Sequence, residues 1–166
     1  MGGRISGEAP WRRYRIVNQV ASPAAGSDWS VAVPAGRIWR ITSIVAKLVT
    51  SATVATRNPY LVVSDGTTNA VRVLPYASQA ASLTGLYSWL TECSSTVVGN
   101  DQQNDIPELT LTAGWTIGTL TSGLAAGDQW SDIALFVLET LYRPGDIDIS
   151  EVPELVVQIA PGMGGA

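Results

Sequence analysis

Histidine is absent from this chain of 166 residues, and that limits the chemistry its side chains can do. Without imidazole there is no ordinary general base near neutral pH, no histidine-based triad, and no supply of the commonest zinc ligand. Cys93 is the single cysteine. It has neither a histidine to activate it nor a second thiol to share a metal, so a buried, inert thiol is expected. Carboxylates are the remaining catalytic route. Asp101 and Asp105, with Glu108 near them in sequence, stand in a polar stretch and could act as the acid and base of a glycosidase. Asp146 and Asp148 offer oxygen atoms at alternate positions, as calcium requires, but neither stretch has the spacing of an EF-hand. Acidic residues in loops are more often simply solvated. Glycine-rich phosphate loops of either common pattern are missing. The expectation is a protein that is not an enzyme, with no cofactor and no metal.

Binding chemistry is better represented. Trp11-Arg12-Arg13-Tyr14-Arg15 mixes aromatic and cationic side chains, which could stack on bases and neutralise phosphates. A nucleic-acid groove needs more cations than these, and the whole chain carries a net charge of −4. An arm that docks on a protein surface explains the same residues, so no nucleic acid is expected as partner. Six tryptophans accompany one phenylalanine. Trp29, Trp39, Trp89 and Trp115 fall inside predicted strands and are expected in the core. Trp11 and Trp130 fall near strand ends or in loops, where an exposed indole marks an interface. Exposed aromatic residues could also hold sugars, which keeps a carbohydrate-binding module for host attachment as a second class of function.

The elements that would position these residues read as strands. Hydrophobic residues make up 46% of the chain and charged ones 14%, well below the usual quarter, and only one lysine occurs. Thr, Val and Ser abound, which favours strands over helices. The length suits one domain. No run of 18 apolar residues is present, and the first fifteen residues lack the apolar core of a signal peptide, so synthesis inside the cell and no membrane partner are expected. Charge is unevenly divided: residues 1–100 hold nine basic against four acidic side chains, and residues 101–166 hold one against ten. Identical copies could attract one another through such halves.

Along the chain, an N-terminal arm (1–20) precedes a β-sandwich domain (21–142) and a C-terminal arm (143–166). Within the arm, Trp11–Val20 alternates like a strand. Eight strands are predicted from Trp29 onward: 29–33, 37–51, 60–64, 69–74, 83–92, 108–112, 115–121 and 133–138. Asp65-Gly66-Thr67-Thr68 marks a hairpin. The stretch 37–51 is apolar on both faces and long enough to bend near Thr42-Ser43 and pass through two sheets. Residues 94–105 read as a polar loop. No ten-residue stretch has a capped helical stripe. An eight-stranded antiparallel jelly roll is the expected fold, with another Greek-key sandwich as the near alternative. In the tail, Leu155-Val156-Val157-Gln158-Ile159 is an apolar patch that should lie against its own sheet or a neighbouring subunit.

Three stretches together carry a resemblance: Val33-Pro34-Ala35-Gly36-Arg37-Ile38-Trp39-Arg40-Ile41, then Arg57-Asn58-Pro59-Tyr60-Leu61-Val62-Val63-Ser64-Asp65-Gly66, then Leu124-Ala125-Ala126-Gly127-Asp128-Gln129-Trp130-Ser131 followed by Glu139. Their order resembles the small jelly-roll virion proteins of tailed bacteriophages, over residues 29–140. The resemblance implies a capsid decoration (cement) protein, or less often a tail, fibre or baseplate component. It further implies homotrimers on the capsid surface, bound to the major capsid protein, with terminal arms tying neighbouring copies together. The residues expected to make these contacts are Trp11, Arg12, Arg13, Tyr14, Arg15, Trp130, Leu155, Val157 and Ile159.

Overall fold

Residues 12–141 are described by the computed structural model, and for residues 12–19 the backbone alone. Eleven strands and no helix occupy them: β1 (Arg12–Val20), β2 (Ser30–Ala32), β3 (Arg37–Val49), β4 (Asn58–Ser64), β5 (Asn69–Val73), β6 (Thr84–Thr91), β7 (Thr96–Val98), β8 (Asp101–Ile106), β9 (Leu109–Thr112), β10 (Thr116–Ser122) and β11 (Gln129–Leu141). They form two sheets. The larger runs β1-β11-β3-β6-β8-β7, with β9 also beside β3, and the smaller runs β2-β10-β4-β5. One apolar core lies between them, with Ile44, Leu48, Trp89 and Leu135 from the larger sheet and Leu61, Val63 and Ile117 from the smaller.

The all-β expectation holds, and each of the eight expected strands has a counterpart. Three strands are additional. Arg12–Val20, placed in the arm by the sequence, is hydrogen-bonded along β11 as the edge of the larger sheet. The stretch read as a polar loop holds the other two, β7 and β8. The expected purely antiparallel pairing also needs correction: β6 and β8 run parallel, from Tyr87 opposite Gln102 to Thr91 opposite Ile106. The chain reverses once between β6 and β7 and again in the tight β7–β8 hairpin, which brings β8 back in the direction of β6.

Strand β8 was hidden by its composition. Asp101, Gln103 and Asp105 point outward while Gln102, Asn104 and Ile106 are buried, so the alternation is genuine but two of the inward residues are amides. Those amides replace backbone partners for the segment that crosses between the sheets after β5. Gln102 donates to the Ala77 carbonyl at 2.7 Å and accepts from the Ala77 amide at 3.0 Å, and Asn104 accepts from the Tyr76 amide at 2.9 Å. A buried backbone group without such a partner would cost about 1–3 kcal/mol.

The long strand β3 is irregular at Thr42, where a bend is expected, but stays within one sheet. Its register with β11 slips at Thr42, since Ser43 faces Phe136 while Ile41 faces Val137. The extra residue reverses which face each side chain takes. Trp39 and Ile41 before it, and Ile44, Ala46 and Leu48 after it, all enter the same core. Part of the two-faced apolar pattern is therefore one face with a change of phase.

Candidate functional site

Of the residues expected to contact a partner, Trp11, Leu155, Val157 and Ile159 lie outside the described residues, as do Asp146 and Asp148. Arg12, Arg13, Tyr14 and Arg15 fall on β1, in register with Thr140, Glu139, Leu138 and Val137. Among the described residues β1 pairs on one side only, so its outer edge is open. Trp130 requires correction. It is 0% exposed, inside β11, with its ring edge-on to Tyr87 at 5.5 Å. The cause is a second slip in register between Ser131 and Ala134, which includes Asp132 at φ 50°. That slip brings Trp130 and Ile133, three residues apart, into the same core.

The carboxylates that could have formed a catalytic pair are engaged separately. Asp101 and Asp105 stand on one face of β8, four residues and therefore about 13 Å of strand apart, wider than the separation glycosidases use. Asp101 accepts from the Leu86 amide at 2.9 Å, and Asp105 accepts from the Cys93 amide at 3.2 Å. Glu108 is ion-paired with Arg40 at 2.8 Å. Asp105, Glu108, Glu92 and Arg40 border a cleft of about 430 Å³, formed where β3 exchanges its partner β6 for β9. Among the described residues no three metal-ligating side chains cluster.

The densest polar arrangement is one that sequence reasoning passed over. Arg57 and Asp128 are both fully buried and joined twice, Nε to Oδ2 at 2.8 Å and Nη2 to Oδ1 at 2.9 Å. Asp128 also accepts from the Ser51 amide at 2.7 Å, the Ser51 hydroxyl at 2.9 Å and the Ala125 amide at 2.7 Å. Burial raises its carboxyl, but these bonds, that of Arg57 foremost, outweigh burial and hold it below the usual carboxylate range. Ser51 and Arg57 lie at the two ends of the β3–β4 connection and Asp128 precedes β11, so the cluster ties two passages between the sheets at one end of the sandwich. Gly123, at φ +76°, lets the chain lie so close to the Thr56 carbonyl that a Cβ would collide with it. The cluster continues through Gln79, whose backbone pairs with that of Arg57. Gln79 accepts from the Tyr87 hydroxyl at 2.8 Å and donates to the carbonyls of Leu48 and Leu83.

A second tie joins Arg37 and Trp39 to the buried Glu139, each at 2.9 Å. The three stretches that carry the resemblance thus meet in pairs: Arg57 with Asp128, and Arg37 and Trp39 with Glu139. These contacts hold the two sheets' strands in place. Away from them, large apolar side chains are well exposed at loops and edges, namely Val54 at 94%, Val98 at 76%, Leu74 at 67% and Tyr76 at 58%. No protein-family model matches the chain, and neither a curated protein nor a solved structure is significantly similar to it.

Proposed function

We propose that this chain is a structural virion protein of a tailed bacteriophage, a decoration (cement) protein that binds the capsid surface through non-covalent contacts and stabilises the head shell. The observation that carries the reading is the combination of a charge content of 14% with apolar side chains left in water at Val54, Leu74, Tyr76 and Val98. Exposed apolar residues at loops and edges suit burial against a protein surface. The open edge of β1, with Arg12, Arg13 and Arg15 along it, offers backbone pairing to a neighbouring copy or to the major capsid protein. A jelly-roll description of the sandwich is supported by its repeated crossings between sheets, at β1–β2, β2–β3, β3–β4, β5–β6, β9–β10 and β10–β11.

Many weak contacts repeated over a lattice give strong avidity, so no single one needs to be tight. In the sugar-binding alternative, one ring that could serve is that of Tyr60, on the smaller sheet. The Arg72 guanidinium lies 3.7 Å from its centroid and covers one of the faces a sugar would stack on.

Mixing the protein with purified phage heads stripped of accessory proteins tests the reading. Saturable co-sedimentation and heads that resist heating to a higher temperature are expected, with a trimer by light scattering that weakens when residues 1–15 are removed. Binding to glycans with no binding to heads would replace this reading with the attachment module.

A further inference from the structure

After the slips in register have turned Trp39, Ile41 and Trp130 inward, the larger sheet still carries apolar side chains on its outer face. Val49, Leu86 and Phe136 are each 38% exposed there, with Val45, Leu90 and Leu138 half-buried among them. The registers make them neighbours: Ser43 faces both Leu90 and Phe136, Lys47 faces Leu86, and Arg40 faces Leu138. The smaller sheet packs on the opposite side, across the core, and gives this face no cover.

We propose that this outer face is the seat of the chain's own C-terminal segment, Leu155–Ile159. Outside the described residues, Leu155-Val156-Val157-Gln158-Ile159 is the longest apolar run, and its aliphatic side chains match a face built of Val, Leu and Phe. Its starting point is favourable, because β11 ends at Leu141, three residues beyond Leu138 on the face itself. Residues 142–154 separate the two, and extended at about 3.3 Å each they reach about 43 Å, roughly the length of β3. Every point of the face lies within that reach. Four acids, Asp146, Asp148, Glu151 and Glu154, precede the run against the single Arg143. The face carries Arg40 and Lys47, whose side chains remain 49% and 36% exposed although ion-paired with Glu108 and Asp132. A tethered segment also competes at a far higher effective concentration than the same segment of another copy. The inference stands whether or not the chain decorates a capsid.

A photoreactive benzoyl-phenylalanine placed at Val157 of the full chain tests it, with the cross-linked product separated by mass and mapped by peptide sequencing. A product of single-chain mass is expected, linked to β3, β6 or β11 at Val45, Val49, Leu86, Leu90, Phe136 or Leu138. Leu86→Asp, at an exposed position that leaves the core intact, should lower the yield several-fold. A product of two-chain mass, a link to the smaller sheet, or a yield no higher than that of the same probe at Gly165 would overturn the proposal.

Discussion

A carboxylate that is 1% exposed and ionised must have its charge met on every side, and Asp128 is met by five donors from Ser51, Arg57 and Ala125. Removing one partner of such a pair is far more costly than replacing both. Asp128→Asn should therefore lower the free energy of unfolding by about 3–5 kcal/mol, while Arg57→Met with Asp128→Leu should recover only part of it in urea titrations, because the amides of Ser51 and Ala125 lose their acceptor. The acid dependence follows from the depressed carboxyl. Its stabilisation is fully present above the unfolded-state value of about 3.9 and is lost as pH falls through the lower folded-state value. Unfolding free energy should thus be level at pH 5–7 and decline below about pH 4, more steeply in the parent than in Asp128→Asn. The tryptophans divide in the same way. The Trp39 indole donates to Glu139, whereas the Trp130 indole N–H has no partner among the described residues. Both lose volume as phenylalanine, but Trp39→Phe also loses a charge-assisted bond and should be the more destabilising by about 1–2 kcal/mol, read as a difference in denaturant midpoint.

At the scale of elements, what was legible in the sequence depended on which residues did the pairing. Strands that bury Val, Ile and Leu announced themselves by alternation, and the Asp65–Thr68 hairpin by its turn chemistry. Asp65 accepts from the amides of Thr67 and Thr68, each at 2.8 Å, and these bonds, with that of Thr68 foremost, hold its carboxyl below the usual range. Strand β8 stayed hidden because Gln102 and Asn104 occupy inward positions as surrogates for backbone. The Arg57–Asp128 pair stayed hidden because nothing in a sequence relates two residues 71 apart. The irregularity near Asp132 hid Trp130, which falls before the predicted strand 133–138, and the one at Thr42 gave 37–51 its two-faced look, since periodicity assumes a constant phase. Gly118 is a glycine for a reason the sequence does not disclose: a Cβ there would meet the Trp29 carbonyl and lie 2.8 Å from the Ser30 Cα. Gly118→Val should push β2 off β10 and cost about 1–3 kcal/mol, with a change in tryptophan fluorescence as Trp29 moves.

For the whole molecule, the low charge and the all-β pattern make assembly the expectation, and the folded chain buries only some of its charges. Its buried ones lock the sandwich: Arg57 and Asp128 at one end, Glu139 across β3 and β11. What remains for partners among the described residues is apolar surface and an open strand edge. The order of the larger sheet has a further consequence, for the time course of folding. Strand β11 is the last of the described strands, yet it lies between β1 and β3, with Thr140 facing Arg12 on one side and Ile38 on the other. Until residues 129–141 have left the ribosome, β1 and β3 have no common neighbour, and the largest sheet cannot close. Contacts spanning nearly the whole described chain also carry a high loop-closure entropy. The protein therefore completes its fold late and slowly, with the edges of two long strands open to pairing with other chains in the interval.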